Sequence, residues 1–354
     1  MTRQDQDFIS KARTLHFTRR TLLGTTVAAA GLTLVNGTQA HAAGSARGTS
    51  RLGRFQETPK PGGTLKIATS TDPVGLDPMI SSAYSTALIT EHVYGSLMRY
   101  TYDLTGLEPD LAESYEISED ALTYTFKLRQ GVKWHDGEDF NADDVIFTFE
   151  TIKAEATDTP KRSNLQVGGE FVTWEKVDDQ TVKITTPEPF APLLFNLNQI
   201  SIIPEHILST VSDINTDPFN KAPIGTGSYK LAEWRPDEFF RLEPFEDHFR
   251  GRAKNDGLTV FFQADTEVGS AALDSGQIDM MFTPPELQPR YEDSADFTLH
   301  NYVYYTPITL AFNFKHPVLQ DINVRKAIAH AFDRAAVVDA FYQGLGVTAS
   351  DLLP

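Results

Sequence analysis

The chain has 354 residues, 40% of them hydrophobic and 11% aromatic, enough apolar material for two sizeable cores and too much for a disordered protein. There is no cysteine, which excludes disulfides, thiolate metal sites and cysteine nucleophiles together. The formal charge is −17, and because residues 1–42 hold five Lys/Arg against two Asp, the remainder carries −20, a surface that repels phosphate backbones and anionic lipid.

The first 42 residues read as an export signal. Thr18-Arg19-Arg20-Thr21-Leu22-Leu23 precedes a mild apolar run, Gly24 to Val35, and then Ala40-His41-Ala42 supplies small residues for a signal peptidase. Paired arginines with modest hydrophobicity point to the twin-arginine route. With cleavage after Ala42 no cysteine stands at the new terminus, so the expected product is a free periplasmic protein and not a lipoprotein. Residues 43–60 lack periodicity and read as a flexible leader. No apolar run reaches the ~18 residues of a membrane-spanning helix.

Beyond Gly62-Gly63 the pattern predicts a strand over 64–68, a helix over 85–94 and a strand near 97–101, followed by turn chemistry at 103–106. Leu122 to Leu128 alternates strictly, as a half-buried antiparallel strand does. Asn141 with Asp144 three residues on marks a capped helix start. A hairpin follows at 171–185, turning at Asp178-Asp179, and strands are expected at 227–234, 239–244 and 258–262. From Asp265 a βαβα rhythm sets in: helix 266–275, strand 278–282, helix 286–292 and strand 297–302. A lobe boundary is therefore placed near 262. One helix over 324–342 is expected to present a broad apolar face.

Catalytic constellations are missing. There is no G-x-S-x-G elbow, H-E-x-x-H or Walker A loop, and Gly344 to Ala349 matches a dinucleotide fingerprint only by accident, because it follows a helix instead of a strand. His135-Asp136 reads as a turn rather than an acid–base pair, the remaining histidines lack metal-ligand spacing, and the acidic cluster at 136–144 reads as a solvated face. Neither a cofactor nor a metal is expected. An exported hydrolase is the enzyme alternative, without a nucleophile–base pair to support it.

Several segments in order resemble the extracytoplasmic solute-binding proteins of family 5, the dipeptide, oligopeptide and nickel binders of ABC importers. They are Gly62-Gly63-Thr64-Leu65, Leu76-Asp77-Pro78, Val93 to Leu97, Pro109 to Tyr115, the block from Leu122 through Trp134-His135-Asp136-Gly137 to Val145, Pro223 to Tyr229, Gly276 to Asp279, and Asp321 to Ala340. The resemblance implies an α/β fold like that of type II periplasmic binding proteins, with two lobes of mixed sheets. It makes residues 61–262 the N-terminal part of lobe I and 263–354 the start of a lobe II that the chain leaves incomplete, so a fragment without transport function is the other reading.

The same resemblance implies a monomer that closes on a peptide or other small polar solute and delivers it to the transmembrane permease. It points to Ser82, Ala83, Tyr84 and Ser85 on the lobe I side of the cleft, and to Tyr304, Tyr305 and Thr306 along an extended ligand. The acidic residue with which relatives hold a ligand's amino group has no counterpart here. The residue types suit the role: a strand edge offers backbone partners, and Tyr adds stacking area with one polar handle. From the residues alone, 82–85 also reads as a surface loop and 304–306 as a packed strand.

Overall fold

The computed structural model describes residues 60–343, apart from 104 and 301–308, together with 345, 346 and 348. The expected signal peptide, nearly all of the leader and Tyr304, Tyr305 and Thr306 lie outside the described residues.

In chain order the elements are β1 (Thr64–Thr69), α1 (Tyr84–Val93), β2 (Met98–Tyr100), β3 (Leu107–Pro109), β4 (Ala112–Ile117), β5 (Thr123–Leu128) and α2 (Ala142–Lys153). There follow β6 (Gln166–Val167), β7 (Glu170–Phe171), β8 (Thr173–Asp178), β9 (Thr181–Thr185), α3 (Leu193–Asn198) and α4 (Glu205–Leu208). The chain continues with β10 (Tyr229–Arg235), β11 (Phe239–Pro244), β12 (Gly257–Phe262), α5 (Thr266–Asp274), β13 (Met280–Met281), α6 (Gln288–Tyr291), α7 (Pro317–Gln320), α8 (Ile322–Ala331) and α9 (Arg334–Tyr342).

Two sheets organise the fold. One is antiparallel, in the order β4-β5-β9-β8, with β5 in its interior. Tyr124, Phe126 and Leu128 point into the core from one face of β5, the alternation seen in the sequence. Helix α2 packs on this sheet, burying Val145, Phe149 and Ile152 at helical spacing. Its start is the expected capping box: Asn141 Oδ1 accepts from the Asp143 amide at 2.7 Å, and Asp144 Oδ2 accepts from the Asn141 amide at 3.0 Å. Asp144 Oδ2 also receives Trp134 Nε1 at 3.3 Å, and Oδ1 receives the Glu205 amide at 2.9 Å. One buried carboxylate thus joins α2, α4 and the turn after β5. Burial outweighs these hydrogen bonds and holds its pKa above the usual carboxylate value.

The other sheet is mixed, in the order β10-β11-β12-β1-β13. β10, β11 and β12 form an antiparallel meander, whereas β1 runs parallel to both β12 and β13. The sheet therefore continues across residue 262: α5 crosses over to bring β13 onto the far edge of β1, and the chain on either side is one compact unit. A small apolar cluster of Ala68, Leu273, Ile278 and Tyr291 covers that end, separate from the main core.

Three expectations change. The helix expected over 324–342 is two, because Asp333 takes the N-cap position, accepts from the Ala336 amide at 3.0 Å and starts α9 afresh. Neither α8 nor α9 has a buried residue, and Phe332 and Phe341 are exposed. Helix 286–292 divides into a 3-10 turn at Pro285–Leu287 and the short α6, each with a proline in its first turn. Residues 297–300 are not a strand, and the rest of that expected element is outside the described residues. Among the described residues no helix is long and apolar enough to cross a membrane.

Candidate functional site

The three parallel strands end together, at Thr69, Phe262 and Met281, and the Gln263 amide donating to the Thr69 carbonyl at 2.7 Å carries the pairing one residue further. Open α/β sheets take ligands outside the carboxyl ends of their parallel strands, because the loops there diverge and leave space between them. The loop after β1, residues 70–83, leads from this edge into the first turn of α1. Ser82, Ala83, Tyr84 and Ser85 lie at that corner.

The loop is fastened along its length. Asp72 accepts from Trp234 Nε1 at 3.1 Å and from the Asp237 amide at 2.8 Å. Asn220 Oδ1 accepts from the Leu76 and Asp77 amides at 2.8 and 2.9 Å, while Thr86 Oγ1 donates to the Gly75 carbonyl at 3.0 Å. Leu76 and Met79 anchor it in the main core. Next to α1, Ser81 Oγ donates to Thr86 Oγ1 at 3.1 Å and accepts from the Ala83 amide at 3.2 Å.

Of the four candidate residues, Ser82 and Tyr84 are exposed, Ala83 is half-buried and Ser85 is buried. Ala83 is the N-cap of α1 and gives it no side-chain hydrogen bond. The Tyr84 ring stands edge-on to Phe282, at 5.9 Å between centroids and 75° between planes. Phe282 follows β13 directly and was not among the residues expected here. The only sequence signal was its place at the end of a short strand before Pro284-Pro285.

The other end of α1 is seated on backbone. Gly227 donates to the Val93 carbonyl at 2.8 Å, and Gly95 donates to Thr226 Oγ1 at 3.1 Å. From the opposite side His135 grips the same segment: its amide donates to the Gly225 carbonyl at 2.9 Å, Nδ1 accepts from the Gly225 amide at 3.2 Å, and Nε2 lies 3.0 Å from the Gly227 carbonyl. An accepting Nδ1 places the ring proton on Nε2, which donates to Gly227. Burial pushes the His135 pKa down to about 4, so the ring is neutral at neutral pH. His135 thus pins two loops, and Asp136 beside it meets His206 Nε2 at 2.8 Å.

Asp77 is the outlying carboxylate. It is 1% exposed; Oδ1 accepts from the Met79 amide at 2.8 Å, while no protein group reaches Oδ2. Burial, with the nearby Asp217 charge adding to it, pushes its pKa up to about 6. A folded pKa above the ordinary 3.8 stabilises the fold fully below pH 3.8, and that contribution is lost as pH rises through about 6. With the unpartnered amide offsetting part of the ~3 kcal/mol shift at every pH, Asp77→Asn is accordingly expected to raise stability by ~1–2 kcal/mol at pH 8 and to lower it by ~0.5–1.5 kcal/mol at pH 4. Urea melts at the two pH values measure this; equal effects at both would show that Asp77 does not titrate in this window.

Elsewhere, an open cleft of about 560 Å³ bordered by Glu150, Lys153, Arg162 and Phe171 lies at the end of α2 and shares no residue with this corner. Among the described residues no three His, Asp or Glu side chains gather as metal ligands would.

Residues 106–354 match the family described as bacterial extracellular solute-binding proteins, family 5 Middle. The chain is 30% identical over 314 residues to the dipeptide-binding protein of Escherichia coli, covering 82% of this chain and 58% of that one. To heme-binding protein A of Haemophilus influenzae it is 30% identical over 315 residues, covering 82% and 57%. Among solved structures, NikZ from Campylobacter jejuni in complex with Ni(L-His) superposes with a TM-score of 0.75 at 30% identity, covering 82% of this chain and 57% of that one. AppA from Bacillus subtilis, an oligopeptide-binding protein in complex with a nonapeptide, gives 0.72 at 28% identity, covering 81% and 57%. The chain thus spans less than three fifths of the length of each of these relatives. The mixed α/β architecture is the one they share, that of type II periplasmic binding proteins. With the family match running over most of the chain on that fold, this protein belongs to family 5 of the bacterial extracellular solute-binding proteins.

Proposed function

We propose that the protein captures peptides or similar small polar solutes outside the cytoplasm and delivers them to the permease of an ABC importer. The observation that carries this is the position of Ser82–Ser85, on a fastened loop at the carboxyl edge of β12, β1 and β13, in a chain whose relatives include a dipeptide-binding protein and a nonapeptide complex. A loop held at Asp72, Leu76, Asp77 and Ser81 presents its surface without first having to be ordered, so less of the interaction energy is lost on binding.

In this reading Ser82, Ala83, Tyr84 and Ser85 contact the solute from lobe I, and Tyr304, Tyr305 and Thr306 meet its backbone. Because β13 belongs to the first lobe's sheet, lobe II begins beyond it rather than at 262. A ligand that touches both lobes favours the closed form over the open one, and closure presents the loaded protein to the permease. The protein reaches the periplasm by the twin-arginine route, loses residues 1–42 and works as a monomer, with no bond-making chemistry of its own.

Carriers of this kind hold ligands at roughly −8 to −10 kcal/mol. Purified protein with a di- to pentapeptide panel at about a hundred times Kd should melt some 4 °C higher with its preferred members. No shift with any peptide, while another class of solute gives one, would remove peptides from the reading.

A further inference from the structure

The reading above leaves the kind of solute open, and the corner itself narrows it. Tyr84, in the first turn of α1, is 51% exposed and Phe282, directly after β13, 49%, and their rings meet edge-to-face. They come from segments nearly two hundred residues apart, brought together because β1 and β13 are neighbours in the sheet and end at the same edge. Neither residues 81–86 nor 280–285 contain a Lys, Arg, Asp or Glu, in a chain that is 22% charged. An aromatic pair half open to solvent, carried by two segments without a charged side chain at the carboxyl edge of a sheet, offers a third ring an apolar surface to pack on.

We propose that Tyr84 and Phe282 form an aromatic seat that selects peptides carrying an aromatic side chain over those with small or charged ones. This inference rests on the reading that the Ser82–Ser85 corner binds a peptide, and it adds Phe282 as a specificity-determining residue. A charged side chain placed here would lose hydration and gain no ion partner from either segment, so selection acts against Lys and Asp as well as for Phe.

The test is calorimetry of the full chain with Ala-Phe, Ala-Ala, Ala-Lys and Ala-Asp, repeated on Phe282→Ala and Tyr84→Ala. Phe195→Ala, which removes a similarly exposed ring on α3, serves as the control. The wild-type protein is expected to favour Ala-Phe over Ala-Ala by about tenfold or more, the scale of burying one aromatic side chain. That ratio should fall towards one in both corner variants and persist in Phe195→Ala. If the wild-type protein binds the four peptides alike, or if the ratio survives in both corner variants, the seat is wrong while peptide capture stands. If it binds none of the four and no other peptide, the reading of peptide capture fails and the seat falls with it. Circular dichroism establishes that each variant is folded; should one corner variant not fold, the ratio in the other decides.

Discussion

Gly225→Ala is expected to cost about 4 kcal/mol or more, enough to leave much of the protein unfolded under mild conditions. A Cβ at this position would stand 1.9 Å from the Val93 carbonyl oxygen and 2.7 Å from its carbon. Both are backbone atoms at the end of α1, so no side chain can swing aside, and a close-packed interior cannot open by an ångström without breaking other contacts. Gly227→Ala meets the His92 carbonyl oxygen at 2.3 Å and should behave alike. Gly106→Ala is the control: nothing lies within 4 Å of its Cβ position, and it should change stability by less than about 0.5 kcal/mol. The comparison by urea denaturation tests whether segment 223–228 really lies against α1. A Gly225→Ala protein as stable as the wild type would mean that it does not. On the proposed reading that Ser82–Ser85, at the other end of α1, contact solute, whatever Gly225→Ala protein does fold should also bind solute more weakly.

Local signals in the sequence carried several elements between residues 122 and 185 well. β5 alternates between two environments, α2 begins at a capping box, and the hairpin of β8 and β9 turns at Asp178, each a short-range pattern with a single physical cause. β4 was overlooked because it is an outer strand whose side chains, apart from Ala112 and the half-buried Tyr115, face solvent, so no alternation marks it. β13 pairs through only two residues, and nothing in Met280-Met281 announces that the partner is β1, more than two hundred residues earlier. For the same reason position 262 looked like a boundary: the change from meander to βαβ rhythm is real, but the sheet is continuous through it.

The candidate site was legible in proportion to how local its parts are. Ser82–Ser85 were named through the family resemblance, which points to one contiguous stretch of chain. Phe282 was not, since its part in the corner follows from strand order alone. The seating of α1 shows the same limit. Trp134-His135-Asp136-Gly137 and Pro223 to Tyr229 stood out as separate blocks, yet only the fold shows that three hydrogen bonds from His135 join them. The division of 324–342 at Asp333 is the opposite case. An Asp followed by good helix formers is a local start signal, but the apolar spacing runs through it without a break.

Replacing His135 should have the second large effect, and its pH dependence makes it diagnostic. His135→Ala leaves the Gly225 amide and Gly227 carbonyl buried without a partner, at ~1–3 kcal/mol each, and removes a ring packed 5.0 Å from Phe245, for a total of about 4 kcal/mol at pH 7. His135→Phe restores ring packing alone and should recover only part of this. The sign of the pH effect follows from a folded pKa of about 4 against the ordinary 6.5: stabilisation by neutral His135 is complete above pH 6.5 and is lost as pH falls to about 4, a change of ~3 kcal/mol. Asp77 acts in the opposite sense over nearly the same window, gaining stability as pH falls from about 6 to 3.8. Each proton changes stability by ~1.4 kcal/mol per pH unit where it acts, so between pH 4 and 6 the two contributions largely cancel. Replacing either group should expose the other. Asp77→Asn is expected to lose stability steeply as pH falls from 6 to 4, whereas His135→Phe should gain it over the same interval. Urea midpoints for the wild type, both variants and the double variant across pH 4–7 read this directly. Parallel curves for the two single variants would mean that these buried groups do not set the pH dependence, because only opposed titrations make the slopes diverge.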